Sequence, residues 1–234
     1  MQRLNRPLLL EPGFRKISNR WLGLVSAVSL WLAPALMSAP ANPFEEEIRT
    51  FEVADRLQPP PQSAILFTGS STIRLWTNLV ASFPGKRVFG RGFGGSQMSD
   101  LNRYMDRIVI PYHPKHILVY EGDNDLASGK SPEQILVDYQ EFATHVRGAL
   151  PKVRLSFLTI KPSRARWQLL EKIRTTNRLI SEFSKSQKRM DVIDVFSATL
   201  NAKGEVREEL LREDGLHLNA KGYQVWTEVI RKKL

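Results

Sequence analysis

Two adjacent serines follow an apolar, strand-like run and are the first candidates for chemistry in this sequence. Ser70 and Ser71 lie in the segment Gly69-Ser70-Ser71-Thr72, directly after the run at residues 64–69. A hydroxyl at a strand-to-helix turn lies beside the free N–H groups of the helix N-terminus, which can stabilise an oxyanion. Such a position suits a nucleophile. The alternative interpretation is a plain serine N-cap, one of the commonest roles of this residue.

A carboxylate and an imidazole lie close together near the C-terminus. Asp214 and His217 are three residues apart in the segment Asp214-Gly215-Leu216-His217. In a turn, this spacing can bring the carboxylate against one imidazole N–H, so that the other ring nitrogen can accept a proton from a serine. The alternative is a surface histidine without such a role.

Two further segments contain groups that can donate hydrogen bonds to a negative charge. In GRGFGGS at residues 90–96, glycines allow a backbone N–H to approach a ligand closely. In EGDND at residues 121–125, the Asn124 side chain can present its NH2 group, which a carboxylate cannot do. The alternatives are a tight loop for the first segment and an ordinary turn for the second.

The glycine segment also fits a different motif. Gly90, Gly92 and Gly95 match the dinucleotide fingerprint G-x-G-x-x-G, for which Glu121 would be the acid that binds the ribose. Glu121 follows the last glycine by 121 − 95 = 26 residues, whereas the usual separation is about 20. This alternative, a dinucleotide-binding oxidoreductase, leaves Asp214 and His217 without a role.

The surrounding sequence alternates short apolar runs with helical patterns, which predicts an α/β fold. Five strands separated by helices indicate a parallel sheet covered on both faces, because right-handed crossovers place helices on each side. We therefore expect a three-layer α/β/α sandwich with a flavodoxin-like five-stranded parallel sheet. Ligands of such sheets bind outside the carboxyl ends of the strands, where the polar segments are expected to meet. The strands are predicted at residues 64–69, 86–89, 115–120, 153–160 and 190–196.

Two helices have distinct sequence signals. Ser131 is expected to be the N-cap of a helix with a proline in its first turn and Gln134 closing a capping box. Residues 45–56 predict an amphipathic helix, followed by the rigid segment at residues 59–61. In the helix that follows Ser131, the buried stripe is expected at Ile135, Tyr139, Phe142 and Val146.

The first 41 residues differ from the rest of the chain. Five basic residues precede an apolar run at residues 21–37, and Ala39-Pro40-Ala41 follows it. This order is typical of a secretory signal peptide cleaved after Ala41, and the alternative is an uncleaved membrane anchor. Either way, the protein is expected to be secreted or periplasmic, with membrane association only through residues 1–41. We expect a helix and Pro-rich linker at residues 42–63 and one domain at residues 64–234.

Composition narrows the classes of function. The chain has no cysteine, which excludes a thiol nucleophile and a Cys-ligated metal site. Its formal charge is +10 with 34 Lys plus Arg, and 29 Lys plus Arg against 23 Asp plus Glu remain without residues 1–41, a charge of +6. No basic stripe interleaves with aromatic residues as a nucleic-acid groove would need, so we expect no nucleic-acid partner.

In their order along the chain, the four polar segments resemble those of the SGNH hydrolases, the GDSL-type esterase and lipase superfamily that includes platelet-activating factor acetylhydrolase-like enzymes. The segments are residues 69–72, 90–96, 121–125 and 214–217. The resemblance extends from Ala64 to the C-terminus. Two positions depart from the family pattern. The family's Gly-Asp-Ser is here Gly69-Ser70-Ser71, which makes Ser70 a rival nucleophile, and Gly90 replaces the asparagine that often precedes the glycine block.

The resemblance implies a role for each candidate. Ser71 would be the nucleophile, His217 the base and Asp214 its partner, while Gly95, Asn124 and the backbone N–H of Ser71 would form the oxyanion hole. The implied activity is ester hydrolysis through an acyl-enzyme, on small-molecule, lipid or O-acylated glycan esters, with no metal or organic cofactor. An alternative is a non-catalytic ligand-binding member with the same fold.

The substrate pocket is predicted less directly. Arg164, Arg166 and Trp167 follow the fourth strand and can border the pocket. The alternative is a basic helix start with Trp167 packed beneath it. Arg74 and Trp76 are expected on a helix surface and in the core, respectively.

Overall fold

A computed structural model of the protein describes residues 43–234. The predictions for residues 1–41 lie outside these residues. Between residues 43 and 234, no helix is long and apolar enough to cross a membrane.

The centre of the fold is a five-stranded, fully parallel sheet with the strand order β2-β1-β3-β4-β5. This order has the central crossover of a flavodoxin-like sheet, and the predicted fold class is confirmed. Each predicted strand overlaps an observed one. The strands are β1 (Ile65–Gly69), β2 (Val88–Gly92), β3 (His116–Tyr120), β4 (Arg154–Leu158) and β5 (Met190–Ile193).

The prediction for β2 was wrong in its boundaries, because Gly90 and Gly92 belong to the strand and not to the loop after it. Both glycines lie beneath the helical segments that follow β1. A Cβ atom added at Gly92 would be 2.5 Å from the backbone N of Arg74, and one at Gly90 would be 3.2 Å from Leu79. Residue 92 must therefore be a glycine because the chain packs closely there. The sequence pattern alone had suggested instead that this glycine belongs to a loop that approaches a ligand.

Eight helices lie on the two faces of the sheet in the described part of the chain. One hydrophobic cluster packs α1, α4, α5, α6 and α7 on one face, and a second packs α2, α3 and α8 on the other, which makes the three layers. The helices are α1 (Glu45–Leu57), α2 (Ser71–Arg74), α3 (Leu79–Ser82), α4 (Met98–Ile108), α5 (Asp123–Ala127), α6 (Pro132–Ala149), α7 (Leu170–Lys185) and α8 (Ala220–Arg231).

The two helices with distinct sequence signals form where they are predicted. The four residues of the expected stripe on α6 are buried, and the Ser131 side chain accepts a hydrogen bond from the Gln134 backbone N–H. The prediction of a capping box was wrong, because the Gln134 side chain donates a hydrogen bond to Asp138 instead. Helix α1 is held to the domain by ion pairs from Arg107 to Glu45 and Glu52.

Candidate active site

Helix α2 begins at the end of β1, and Gly69 makes this turn possible. Gly69 has φ +134°, and an added Cβ atom would lie 2.0 Å from the carbonyl oxygen of Tyr120 on β3. The strand therefore ends in close contact with β3, and Ser71 is the first residue of α2. In the register, Gly69 pairs with Gly92 and with Tyr120, so β1, β2 and β3 end at one level of the sheet.

The structure joins three of the predicted residues in one hydrogen-bonded chain. The Ser71 Oγ atom lies 2.9 Å from His217 Nε2, and His217 Nδ1 lies 2.7 Å from Asp214 Oδ2. The other oxygen of Asp214 accepts the backbone N–H groups of Leu216 and His217. Ser70 is buried, and its backbone N–H donates to Tyr120. Among the described hydroxyls, the one that contacts His217 is that of Ser71.

The Asn124 side chain lies at the end of β3, on the first turn of α5. Its Nδ2 group donates to the carbonyl oxygen of Ser96 at 2.9 Å, and its Oδ1 atom accepts a hydrogen bond from Arg166 at 3.0 Å. An amide NH2 group has two hydrogens to donate. One remains for another acceptor.

The backbone N–H groups of Ser71 and Gly95 can also serve as donors. Neither has a hydrogen-bond acceptor within residues 43–234. Gly95 has φ +86°, and a Cβ atom there would meet nothing within 4 Å, so its backbone borders open space. The neighbouring N–H of Gly94 donates to Glu47 of α1 at 3.3 Å, which ties this loop to the N-terminal helix.

Comparison with known proteins identifies the family. A model of the GDSL-like lipase/acylhydrolase family matches residues 62–225. The chain belongs to this family. No curated protein matches the sequence significantly.

Solved structures with a similar fold agree with this GDSL-like assignment. A protein described as a platelet activating factor from Streptococcus pneumonia is 22% identical, with a TM-score of 0.72 over 80% of this chain and 91% of its own. A GDSL-like lipase from Bacteroides thetaiotaomicron is 15% identical, with a TM-score of 0.69 over 80% and 96%. A carbohydrate esterase family 3 protein from Talaromyces cellulolyticus is 19% identical, with a TM-score of 0.58 over 74% and 96%.

Asp214 of this GDSL-like protein is an ionised carboxylate at the rim of the site. Partial burial acts to raise its pKa, but the hydrogen bonds from the His217 ring and from the backbone N–H groups of Leu216 and His217 outweigh that effect. Together they lower the pKa of Asp214 from 3.8 to about 2. A carboxylate that stays ionised can hold the imidazole in one tautomer and stabilise an imidazolium.

Glu121, just before the segment of Asn124, lies in a different environment. It is fully buried, and Ser96 Oγ donates to its Oε1 atom at 2.6 Å. Burial, reinforced by the nearby charge of Asp125, raises the pKa of Glu121 well above 4.5. The buried surroundings of Glu121 therefore favour the protonated form of its carboxyl group.

These positions remove the dinucleotide alternative. The fingerprint requires a glycine loop that opens directly into a helix, but Gly90 and Gly92 lie in β2 and the next helix begins at Met98. Glu121 is enclosed against Ser96 and cannot reach a ribose.

Three residues after β4 were predicted either to border the substrate pocket or to form a basic helix start with Trp167 packed beneath it, and each interpretation fits some of them. Arg164 is exposed and pairs with Glu208, whereas Arg166 is mostly buried and contacts Asp123 and Asn124. Trp167 is 40% exposed, which contradicts the alternative interpretation in which it packs beneath the helix start. Trp76 is buried and Arg74 is exposed, as expected.

Sequence reasoning missed three polar neighbours of the site. They are Ser96, whose carbonyl accepts from Asn124, the buried Lys161, and Glu47 of α1. Lys161 and Glu47 lie outside the motifs, and no local pattern marks them. Among residues 43–234, no group of three or more His, Cys, Asp or Glu side chains could hold a metal ion.

Proposed function

We propose that this GDSL-like protein is an exported serine ester hydrolase that cleaves carboxylic esters through an acyl-enzyme on Ser71. The observation that carries the proposal is the continuous chain from Ser71 Oγ to His217 Nε2 and from His217 Nδ1 to Asp214, with heavy-atom distances of 2.9 and 2.7 Å. Both distances suit proton transfer from a nucleophile to an oriented base. Residues 1–41 would direct the export.

The first half-reaction forms the acyl-enzyme. His217 Nε2 accepts the Ser71 proton while Oγ attacks the ester carbonyl carbon, and Asp214 stabilises the imidazolium. The carbonyl oxygen becomes an oxyanion that accepts hydrogen bonds from the N–H groups of Ser71 and Gly95 and from Asn124 Nδ2. When the intermediate collapses, the carbon–oxygen bond to the alcohol breaks, and His217 returns the proton to the leaving alkoxide.

The second half-reaction releases the acid. His217 removes a proton from a water molecule while the water oxygen attacks the acyl carbon. The same donors bind the second oxyanion. Collapse breaks the bond to Ser71 Oγ, and the proton on His217 passes to that oxygen. Protonated His217 cannot act as the base, so activity is expected to fall in acid.

The proposed substrates are esters of small molecules, lipids or O-acylated glycans. A GDSL-like lipase and a carbohydrate esterase are among the similar structures, and their names correspond to the last two classes. A mostly polar set of donors at the carbonyl suits all three classes, because it binds the ester oxygen and not the acyl chain.

The deciding experiment is hydrolysis of p-nitrophenyl esters of increasing chain length by the purified protein, together with labelling by a fluorophosphonate probe. We expect turnover of at least one ester and a covalent label on Ser71. Activity restricted to acetate would favour deacylation of small molecules or glycans, and a long-chain preference would favour lipid esters. Absence of both turnover and label would support the non-catalytic alternative.

A further inference from the structure

We propose that Arg166 is a positioning residue of the oxyanion hole, because its guanidinium holds the side-chain carbonyl of Asn124 and thereby directs the Nδ2 group to the substrate. This inference rests on the proposed ester hydrolysis. Arg166 Nη2 donates to Asn124 Oδ1 at 3.0 Å, and the residues are 42 positions apart in the chain.

The two contacts of Asn124 select one orientation of its amide. A guanidinium can only donate hydrogen bonds, and the carbonyl oxygen of Ser96 can only accept them. In the observed orientation, Oδ1 faces Arg166 and Nδ2 faces Ser96. A flipped amide would place Nδ2 against the guanidinium and Oδ1 against the carbonyl, which would lose both hydrogen bonds. Arg166 therefore opposes the orientation in which an oxygen atom would face the developing oxyanion.

Arg166 is itself held by a buried ion pair. Its Nη1 atom lies 2.7 Å from Asp123 Oδ1, and its side chain is 18% exposed. The other oxygen of Asp123 lies 3.6 Å from Nζ of Lys161, whose side chain is 1% exposed. Burial lowers the pKa of Lys161, while Asp123 acts to raise it. One carboxylate thus anchors the guanidinium and contacts a second cationic side chain beside the donor Asn124.

The backbone around Arg166 is tied to the loop that contains Asp214. Ala165 N–H donates to the Gly215 carbonyl at 3.1 Å, and the Arg164 side chain donates to the Glu213 carbonyl at 2.9 Å. The segment after β4 therefore spans both sides of the candidate site. These contacts limit the freedom of Arg166 to leave Asn124.

Charge adds to the effect of position. A hydrogen bond from a cation polarises the amide that accepts it, which strengthens the N–H donors of the same amide. Lysine cannot reproduce this arrangement, because Arg166 uses two separate nitrogens for Asn124 and Asp123 in a rigid fork. The contribution is expected mainly in the transition state, when negative charge develops on the substrate oxygen.

The test is a double-mutant cycle on the full-length protein with p-nitrophenyl acetate as substrate. We expect Arg166→Met to reduce kcat about tenfold to a hundredfold with little change in KM. In the Asn124→Ala background, the same substitution should reduce kcat by less than about threefold, because the group it positions is gone. Arg166→Lys should recover only part of the lost activity.

Arg178→Met is the matched control, since Arg178 lies on α7, away from these contacts, and pairs with Glu182 on the surface. It should leave kcat within about threefold of wild type. Thermal melting identifies variants that fail to fold, and Arg166→Gln, which retains an amide donor, then replaces Arg166→Met in the cycle. Equal losses of kcat in both backgrounds, or no loss in either, would overturn the inference. Wild-type turnover and Ser71 labelling in the same experiment would show that the proposed function survives that result, and their absence would overturn both.

Discussion

The carboxyl groups of Asp214 and Glu121 contact different parts of the candidate site, His217 and Ser96 respectively, and their pKa values are shifted in opposite directions. Asp214 is 45% exposed and accepts N–H groups from its own turn, which lowers its pKa to about 2. Glu121 is fully buried near Asp125, and its pKa is raised. The base side therefore carries a negative charge where an imidazolium would form. On the donor side, burial disfavours a negative charge on Glu121 beside the groups that would bind the oxyanion.

The difference shows how one fold can shift the pKa values of two carboxyl groups in opposite directions. Asp214 depends on local hydrogen bonds that need no deep core, whereas the state of Glu121 depends on removal of water by the surrounding elements. Hydrogen bonds from its own turn can shift the pKa of Asp214, which is partly exposed to water. The pKa of Glu121 is shifted by burial, because this residue is enclosed against Ser96.

The largest expected effect concerns the two serines of the base side. Ser71→Ala should reduce kcat about a millionfold, because no other described hydroxyl contacts His217. Ser70→Ala is the matched comparison and should cost less than about tenfold, since Ser70 lies outside the chain from Ser71 to Asp214. Steady-state hydrolysis of p-nitrophenyl acetate measures both. A larger loss in Ser70→Ala than in Ser71→Ala would reverse the assignment of the nucleophile.

The next effect tests the charge on the base side. Asp214→Asn should reduce kcat about ten-thousandfold, because an amide can hold the imidazole in the wrong tautomer and cannot stabilise the imidazolium. The measurement is kcat at saturating ester, with circular dichroism to establish folding. A loss of less than about tenfold would show that Asp214 only caps its turn.

On the donor side, Asn124→Ala should reduce kcat by about a hundredfold to a thousandfold with little change in KM. The reason is that Nδ2 would bind the oxyanion more strongly than the neutral ester carbonyl. Asn78→Ala is a control, because Asn78 is exposed at the start of α3. Equal effects of the two substitutions on kcat would remove Asn124 from the oxyanion hole.

The smallest effect is on stability and contrasts the two carboxyl groups directly. Burial raises the pKa of Glu121, so the folded protein binds this proton more tightly than the unfolded chain, and this group makes the free energy of unfolding fall as pH rises above about 4.5. Glu121→Gln removes the dependence. Its Tm relative to wild type should therefore rise by a few degrees between pH 4.5 and 7.5.

Asp214 has the opposite sign in the same melting experiment. Its lowered pKa contributes stability above about pH 4, which is lost as pH falls through about 2. Asp214→Asn should consequently lower the Tm at pH 7.5 relative to wild type, with a difference that narrows in acid. The same sign of pH dependence for both variants would refute the contrast.

The sequence predicted the fold class and the strands well, but not every boundary. Alternation of apolar runs and helical stripes arises from local periodicity, which is visible along the chain. Strand β2 was misplaced because glycines at residues 90 and 92 resemble a loop, and only the approach of α2 and α3 explains them. The two interpretations of Trp167 stayed open for a similar reason, since its exposure depends on neighbours that no local pattern identifies.

The sequence by itself determined the contacts made within short segments, such as the hydrogen bond between Asp214 and His217, because a three-residue spacing in a turn brings them together. Only the tertiary structure decided contacts between distant segments. Ser71 and His217 are 146 positions apart, and Arg166 reaches Asn124 from the loop of another strand. It also raised the pKa of Glu121 and lowered that of Asp214, because the pKa of a carboxyl group depends on the water and charges that the folded chain leaves around it.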